Sequence, residues 1–172
     1  MKNCTVIFLL TVLCLTAPAR ATSTTPLARP TPINWNLKAD QIKTSCLAQL
    51  KVAIKAATRL ANTSGTRTFS NTVLPLENIN SDLRDKLAAQ RFLSLVSPDK
   101  HIRDASLDCD TRYTAFKADE TSDPTLYRAL VAARSGVSAP DVYGRKLTTL
   151  LIQTFEQSGA GLHCRRLLSV SP

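Results

Sequence analysis

The apolar residues of this chain recur at three and four positions and never settle into alternation, which restricts it to helical architectures. From Asp40 to about Ala61 they fall at Ile42, Cys46, Leu47, Leu50, Ile54, Ala57 and Ala61. That spacing predicts an amphipathic helix capped by Asp40 and ended by Asn62-Thr63-Ser64-Gly65. A second helix of about twenty residues is expected after Phe69, with Val73, Leu76, Ile79, Asn80 and Leu83 on one stripe and Leu87 extending it. Pro75 is tolerated near its start. The run Phe92 to Val96 continues or kinks out of this helix until Ser97-Pro98 breaks it.

Start signals then repeat. Ser97-Pro98-Asp99 opens a third helix to about Lys117, with Ser97 as cap and Ile102, Ala105, Leu107 or Cys109, Tyr113 and Phe116 facing inward. Asp123-Pro124 opens a short helix through Leu126, Tyr127, Leu130 and Val131. Ser138 to Asp141 opens a last one with Val142, Leu147, Leu150, Leu151, Thr154 and Phe155 inward, and Gly159 and Gly161 end it. No hairpin signal interrupts this pattern. The reading is an all-α bundle of about five helices joined by short turns.

The ends of the chain differ from the middle. Lys2, an apolar run from Cys4 to Leu15 too short to span a bilayer, and Ala19-Arg20-Ala21 read as a signal peptide over residues 1–21, cleaved after Ala21. Residues 22–34 are a flexible leader rich in threonine and proline, residues 35–162 the helical domain, and 163–172 a divergent tail. A soluble, secreted product is expected, with no transmembrane segment. Removing residues 1–21 takes away Lys2 and Arg20 and no acid, so the formal charge falls from +9 to +7. The excess suits an anionic surface. Aromatics make up 5% of the chain and do not interleave with the cations, which disfavours nucleic acid.

Three cysteines follow the cleavage point: Cys46, Cys109 and Cys164. An odd number leaves at least one unpaired within a chain. Cys46 and Cys109 read as small buried hydrophobes on helix faces in preference to a bridge, and Cys164 as the free or intermolecular thiol. A soft metal site from His163, Cys164 and Cys109 matches no common zinc spacing. His101 reads as an exposed residue of a first turn. Asp108 and Asp110 point to different helix faces, which makes them poor partners as acid and base. No Gly-rich phosphate loop and no Gly-x-Ser-x-Gly elbow occurs. Asn62-Thr63-Ser64 is an N-glycosylation sequon in a turn. Trp35 reads as an anchor over the end of the bundle.

Five segments carry a resemblance: Thr68-Phe69-x-Asn71-Thr72-Val73-Leu74, Phe92-Leu93-x-x-Val96-Ser97-Pro98-Asp99, Ile102-Arg103-Asp104-Ala105-Ser106, Leu126-Tyr127-Arg128-Ala129-Leu130 and Phe155-x-x-Ser158-Gly159-Ala160-Gly161-Leu162. In this order the region from about Asn36 to Leu162 resembles the N-terminal helical region of the thimet oligopeptidase and neurolysin family of zinc metallopeptidases. The resemblance implies a helical wall of a deep channel that admits short peptides. The family's zinc sits on a His-Glu-x-x-His helix much further along a longer chain, and His101 and His163 do not have that spacing. No catalytic or metal-binding residue is therefore carried over. The expectation is a secreted, truncated homologue of a metalloendopeptidase, inactive alone, with no cofactor of its own and with apolar surface left for self-association, a complementary chain or short peptides. The alternative is a basic helical binding protein for a peptide or an anionic surface.

Overall fold

The computed structural model describes residues 34–135 and 141–162, and these belong to one compact unit. The expected signal peptide over residues 1–21, most of the expected leader, the segment 136–140 and the tail with Cys164 lie outside the described residues. Among the described residues the architecture is all-helical: α1 Ala39–Ala61, a π-helical turn Phe69–Val73, α2 Leu74–Lys86, α3 Ala88–Val96, α4 Lys100–Ser122, α5 Pro124–Arg134 and α6 Val142–Gln157. That is six α-helices where about five were expected. The expected long second helix divides at Leu87, whose ψ of 4° breaks the helical path while its side chain stays fully buried.

The caps show why each helix begins and ends where it does. Asp123 accepts from Thr125 N at 2.6 Å and starts α5 with Pro124 in its first turn, and Asp141 accepts from Gly144 N at 2.9 Å. Two expected caps are each displaced by two residues, from Ser97 to Asp99 and from Asp40 to Lys38. α4 is capped by Asp99, which accepts from His101 N at 2.8 Å, because Ser97 Oγ is used on Asp99 N. α1 begins one residue before Asp40. Gln41 Oε1 accepts from Lys38 N at 2.9 Å there, and Asp40 complements the dipole from inside the first turn. At the other end of α1 Arg67 donates to Leu60 O at 2.9 Å and Ala61 O at 3.0 Å, and also to Thr63 O. One guanidinium thus satisfies carbonyls that a helix terminus leaves unpaired.

The π-helical turn is fixed by its own side chains. Thr68 Oγ1 accepts from Asn71 N at 3.2 Å while Asn71 Oδ1 accepts from Thr68 N at 2.8 Å. Gly159 has φ +85°, as a helix-ending glycine should, but Gly161 does not take a left-handed conformation. Gly161 instead lies against Tyr127, where an added Cβ would stand 3.4 Å from the hydroxyl.

α1 and α4 run in the same direction. Ala39 and Lys43 lie beside His101 and Ala105, Cys46 meets Cys109, and Ala57 lies beside Glu120. α2 and α3 return the chain between them, with Gln90 reaching Ser45 at 3.3 Å and Asn80 reaching Lys117. Two apolar clusters result. The first joins Ile42, Leu50, Leu83, Leu87, Leu93 and Phe116, and the second joins Leu60, Val73, Leu76, Leu130, Ile152 and Phe155.

The inward faces depart from the expected ones at specific places. α6 buries Gly144, Thr148, Ile152 and Phe155, while Val142, Leu150 and Thr154 are exposed. Thr148 can go inside because its hydroxyl donates to Gly144 O at 2.8 Å within the same helix. On α4 Cys109 is buried and Leu107 exposed. On α1 Leu47 and Ile54, expected inside, are 52% and 51% exposed. No helix among the described residues is long and apolar enough to cross a membrane.

Candidate functional site

Cys46 and Cys109 form a disulfide with a Cα–Cα distance of 5.8 Å, and both are buried. This corrects the reading of them as separate buried hydrophobes: they are buried and also bridged. The bridge holds α1 and α4 together near their middles. It also removes Cys109 as a thiolate ligand, so the notional site with His163 and Cys164 loses its third member, and its other two residues lie outside the described region.

Beyond the bridge, α1 and α4 leave an apolar groove of 680 Å³ between them. Leu50, Ala57 and Phe116 form its floor, and Leu126 at the start of α5 closes it. Leu47 and Ile54 rise half-exposed on the α1 side. Three carboxylates, Asp119, Glu120 and Asp123, gather at the end towards α5, and two cations, Lys51 and Arg112, stand towards the bridge. The groove is therefore apolar along its length and oppositely charged at its two ends.

The carboxylates are not equivalent. Asp123 is engaged as the α5 cap, and Asp119 is exposed. Glu120 is buried, with its side chain only 1% exposed. One of its oxygens is paired with Lys117, whose ammonium also donates to Asn80 Oδ1 at 2.6 Å. The other, Oε1, is buried with no hydrogen-bond partner among the described residues. A buried carboxylate oxygen without a donor costs free energy, on the order of 1–3 kcal/mol or more for a charged group. On the cationic side Arg112 donates to Asp108 Oδ2 at 2.8 Å. That hydrogen bond first, and then the carboxylate's charge, raise the guanidinium's pKa.

The remaining sequence candidates are scattered. Asn62 is exposed at the end of α1, where its amide donates to Thr58 O at 2.8 Å, which leaves the sequon on an accessible turn. His101 is exposed in the first turn of α4. Asp108 and Asp110 serve different partners, Arg112 and Arg91, and Arg91 also lies 3.7 Å over the Tyr113 ring. Trp35 packs edge-on to Phe92 with centroids 5.8 Å apart and stays 48% exposed, so it covers the end of the bundle only in part. Among the described residues no three histidine, cysteine, aspartate or glutamate side chains converge as metal ligands.

The chain matches no known protein family and no curated protein. Its functional reading therefore rests on the groove and on the quoted motifs. Sequence reasoning missed Glu120 and Lys117, although a signal for them existed. Glu120 continues the stripe of Ala105, Cys109 and Phe116 at helical spacing, and a carboxylate on an apolar stripe demands an explanation.

Proposed function

We propose that this chain is an exported homologue of the N-terminal helical region of the thimet oligopeptidases, and that it holds short peptides without cleaving them. The observation that carries this reading is the 680 Å³ groove, apolar along its floor and charged at both ends. Small-molecule and peptide sites share that composition: an apolar lining with a few placed polar groups. The motifs of the resemblance also have structural work to do. Thr68 and Asn71 lock the π-helical turn, Asp99 starts α4, and Gly159 ends α6.

Purified full chain should bind short apolar peptides in isothermal titration and leave internally quenched peptides uncleaved, with or without added zinc. Cleavage abolished by a chelator would replace the binding reading with a peptidase. Sequencing the amino terminus of the secreted product should find Thr22 first, which tests export and processing together.

A second reading has its own observation. Lys51, Lys55 and Arg59 are exposed along the C-terminal half of α1, and no carboxylate lies within ion-pair distance of Lys55 or Arg59 among the described residues. Such a row attracts anionic polymers and surfaces. Salt-sensitive retention on heparin, lost when Lys55 and Arg59 become glutamine, would support it; retention equal to that of a neutral helical protein would remove it.

A further inference from the structure

The groove has a direction, and its polarity selects how a peptide would lie in it. Arg112 and Asp123 are separated by about 16 Å along the helix, at 1.5 Å per residue. An extended peptide rises about 3.3 Å per residue, so the groove accommodates about five. The acidic end holds Asp119, Asp123 and the buried Glu120, and among the described residues Lys117 is the one cation paired with them. Glu120 Oε1 is an acceptor with no donor. Glu120 is among the residues that line the groove, so its carboxylate stands at the acidic end of the space a peptide would enter while its other oxygen stays on Lys117. An entering ammonium would then supply the missing donor, in a site where charge-assisted hydrogen bonds are strong. At the opposite end Lys51 has no carboxylate within ion-pair distance among the described residues, whereas Arg112 is held by Asp108.

Resting on the peptide reading above, we infer that the groove recognises the free amino terminus of a short apolar peptide at Glu120 and Asp119, with the peptide's carboxylate directed towards Lys51. The apolar side chains between lie on Leu50, Ile54 and Phe116. The site thus measures an end and a length instead of a sequence.

The test is isothermal titration of the full chain with the pentapeptide Leu-Ala-Phe-Ala-Leu in four forms. The free peptide should bind, and amino-terminal acetylation should weaken it about tenfold or more, the scale of one charge-assisted hydrogen bond. Carboxyl amidation should weaken it only a few-fold, since Lys51 is exposed. An acetylated form with lysine in first place should not recover the loss. Glu120→Gln should bind free and acetylated peptides alike, and Asp119→Asn, at an exposed position, should shrink the difference without touching the fold. If Glu120→Gln loses helicity, Asp119→Asn and Lys51→Ala carry the test, and no effect from either overturns the inference. Equal binding of free and acetylated peptide overturns amino-end recognition while leaving a peptide groove in place. Recovery by the lysine form reassigns the acidic end to side-chain cations and also overturns it. Failure of all four forms to bind overturns the peptide reading itself.

Discussion

The two apolar clusters of this bundle are built from similar side chains but held in different ways. The first, around Ile42, Leu87, Leu93 and Phe116, is crossed by the Cys46–Cys109 bridge. The second, around Val73, Leu130, Ile152 and Phe155, is assembled from aliphatic and aromatic packing. The bridge joins positions 63 residues apart, and the groove opens on the side of it that leads to the second cluster. A bridge that pins two parallel helices at one point lets them part further on without letting them separate. The teaching of the comparison is that covalent closure and an open site coexist on one helix pair, because the bridge supplies cohesion that the groove does not.

Truncating the packed cluster should break it most. Phe155 is 1% exposed, and Phe155→Ala should cost roughly 3–5 kcal/mol in denaturant unfolding. Hydrogen exchange should then show α5 and α6 losing protection first while amides beside Cys46 and Cys109 keep theirs. Equal loss in both regions would show that the clusters unfold as one unit and that the comparison has no energetic content.

The bridge comes next. Replacing both cysteines, as Cys46→Ala with Cys109→Ala, frees a long loop in the unfolded chain and should cost about 2–4 kcal/mol. Reduction with dithiothreitol under mildly denaturing conditions should reproduce the loss in the native chain. An unfolding midpoint indifferent to reductant would mean that the two clusters are held alike after all.

Between them lies the pair at the acidic end of the groove. Lys117→Ala leaves Glu120 buried without its counterion and Asn80 without its donor. Lys117 is itself partly exposed, which softens the penalty to roughly 1–3 kcal/mol. Combining it with Glu120→Gln should recover part of the loss. If the double variant is no better than Lys117→Ala, the single variant's cost came from lost packing of the lysine stem.

What could be read in the sequence was local. Asp123-Pro124, Asp141 and the Asn62 to Gly65 stop act within one turn of their own position, and they hold in the structure. Helix faces were read less well, because periodicity says which residues share a face and not whether a neighbour covers it. Leu47 and Ile54 fit the α1 stripe and were expected inside, yet they stand half-exposed on the groove. On α6 the inward face turned on Gly144 and Thr148, a glycine and a hydroxyl that hydrophobicity alone sets aside. The Cys46–Cys109 pairing depends on two helices running parallel, which three cysteines in a line do not reveal. Of the site, Lys51 was visible only within the overall excess of positive charge.

The smallest expected effect concerns the surface of the bridged half. Asp104, in α4, accepts from Lys100 Nζ at 2.6 Å, and both side chains are largely exposed. The hydrogen bond from Lys100 comes first among the causes that hold the Asp104 carboxyl below its ordinary value, ahead of the attraction of the Lys100 charge, while burial opposes it. A carboxylate whose folded pKa is depressed contributes stability above its unfolded pKa and loses it as pH falls through the folded one. Lys100→Ala should therefore move the Asp104 carbon resonance midpoint upward in an NMR titration and flatten the stability difference between neutral and acidic pH at this position. The shift should leave the midpoints of both clusters nearly unchanged at neutral pH, since exposed pairs of this spacing contribute little. A large drop confined to the α1–α4 region would instead assign part of the bridged half's cohesion to its surface charges, and the contrast between the two clusters would then rest on electrostatics as well as on the bridge.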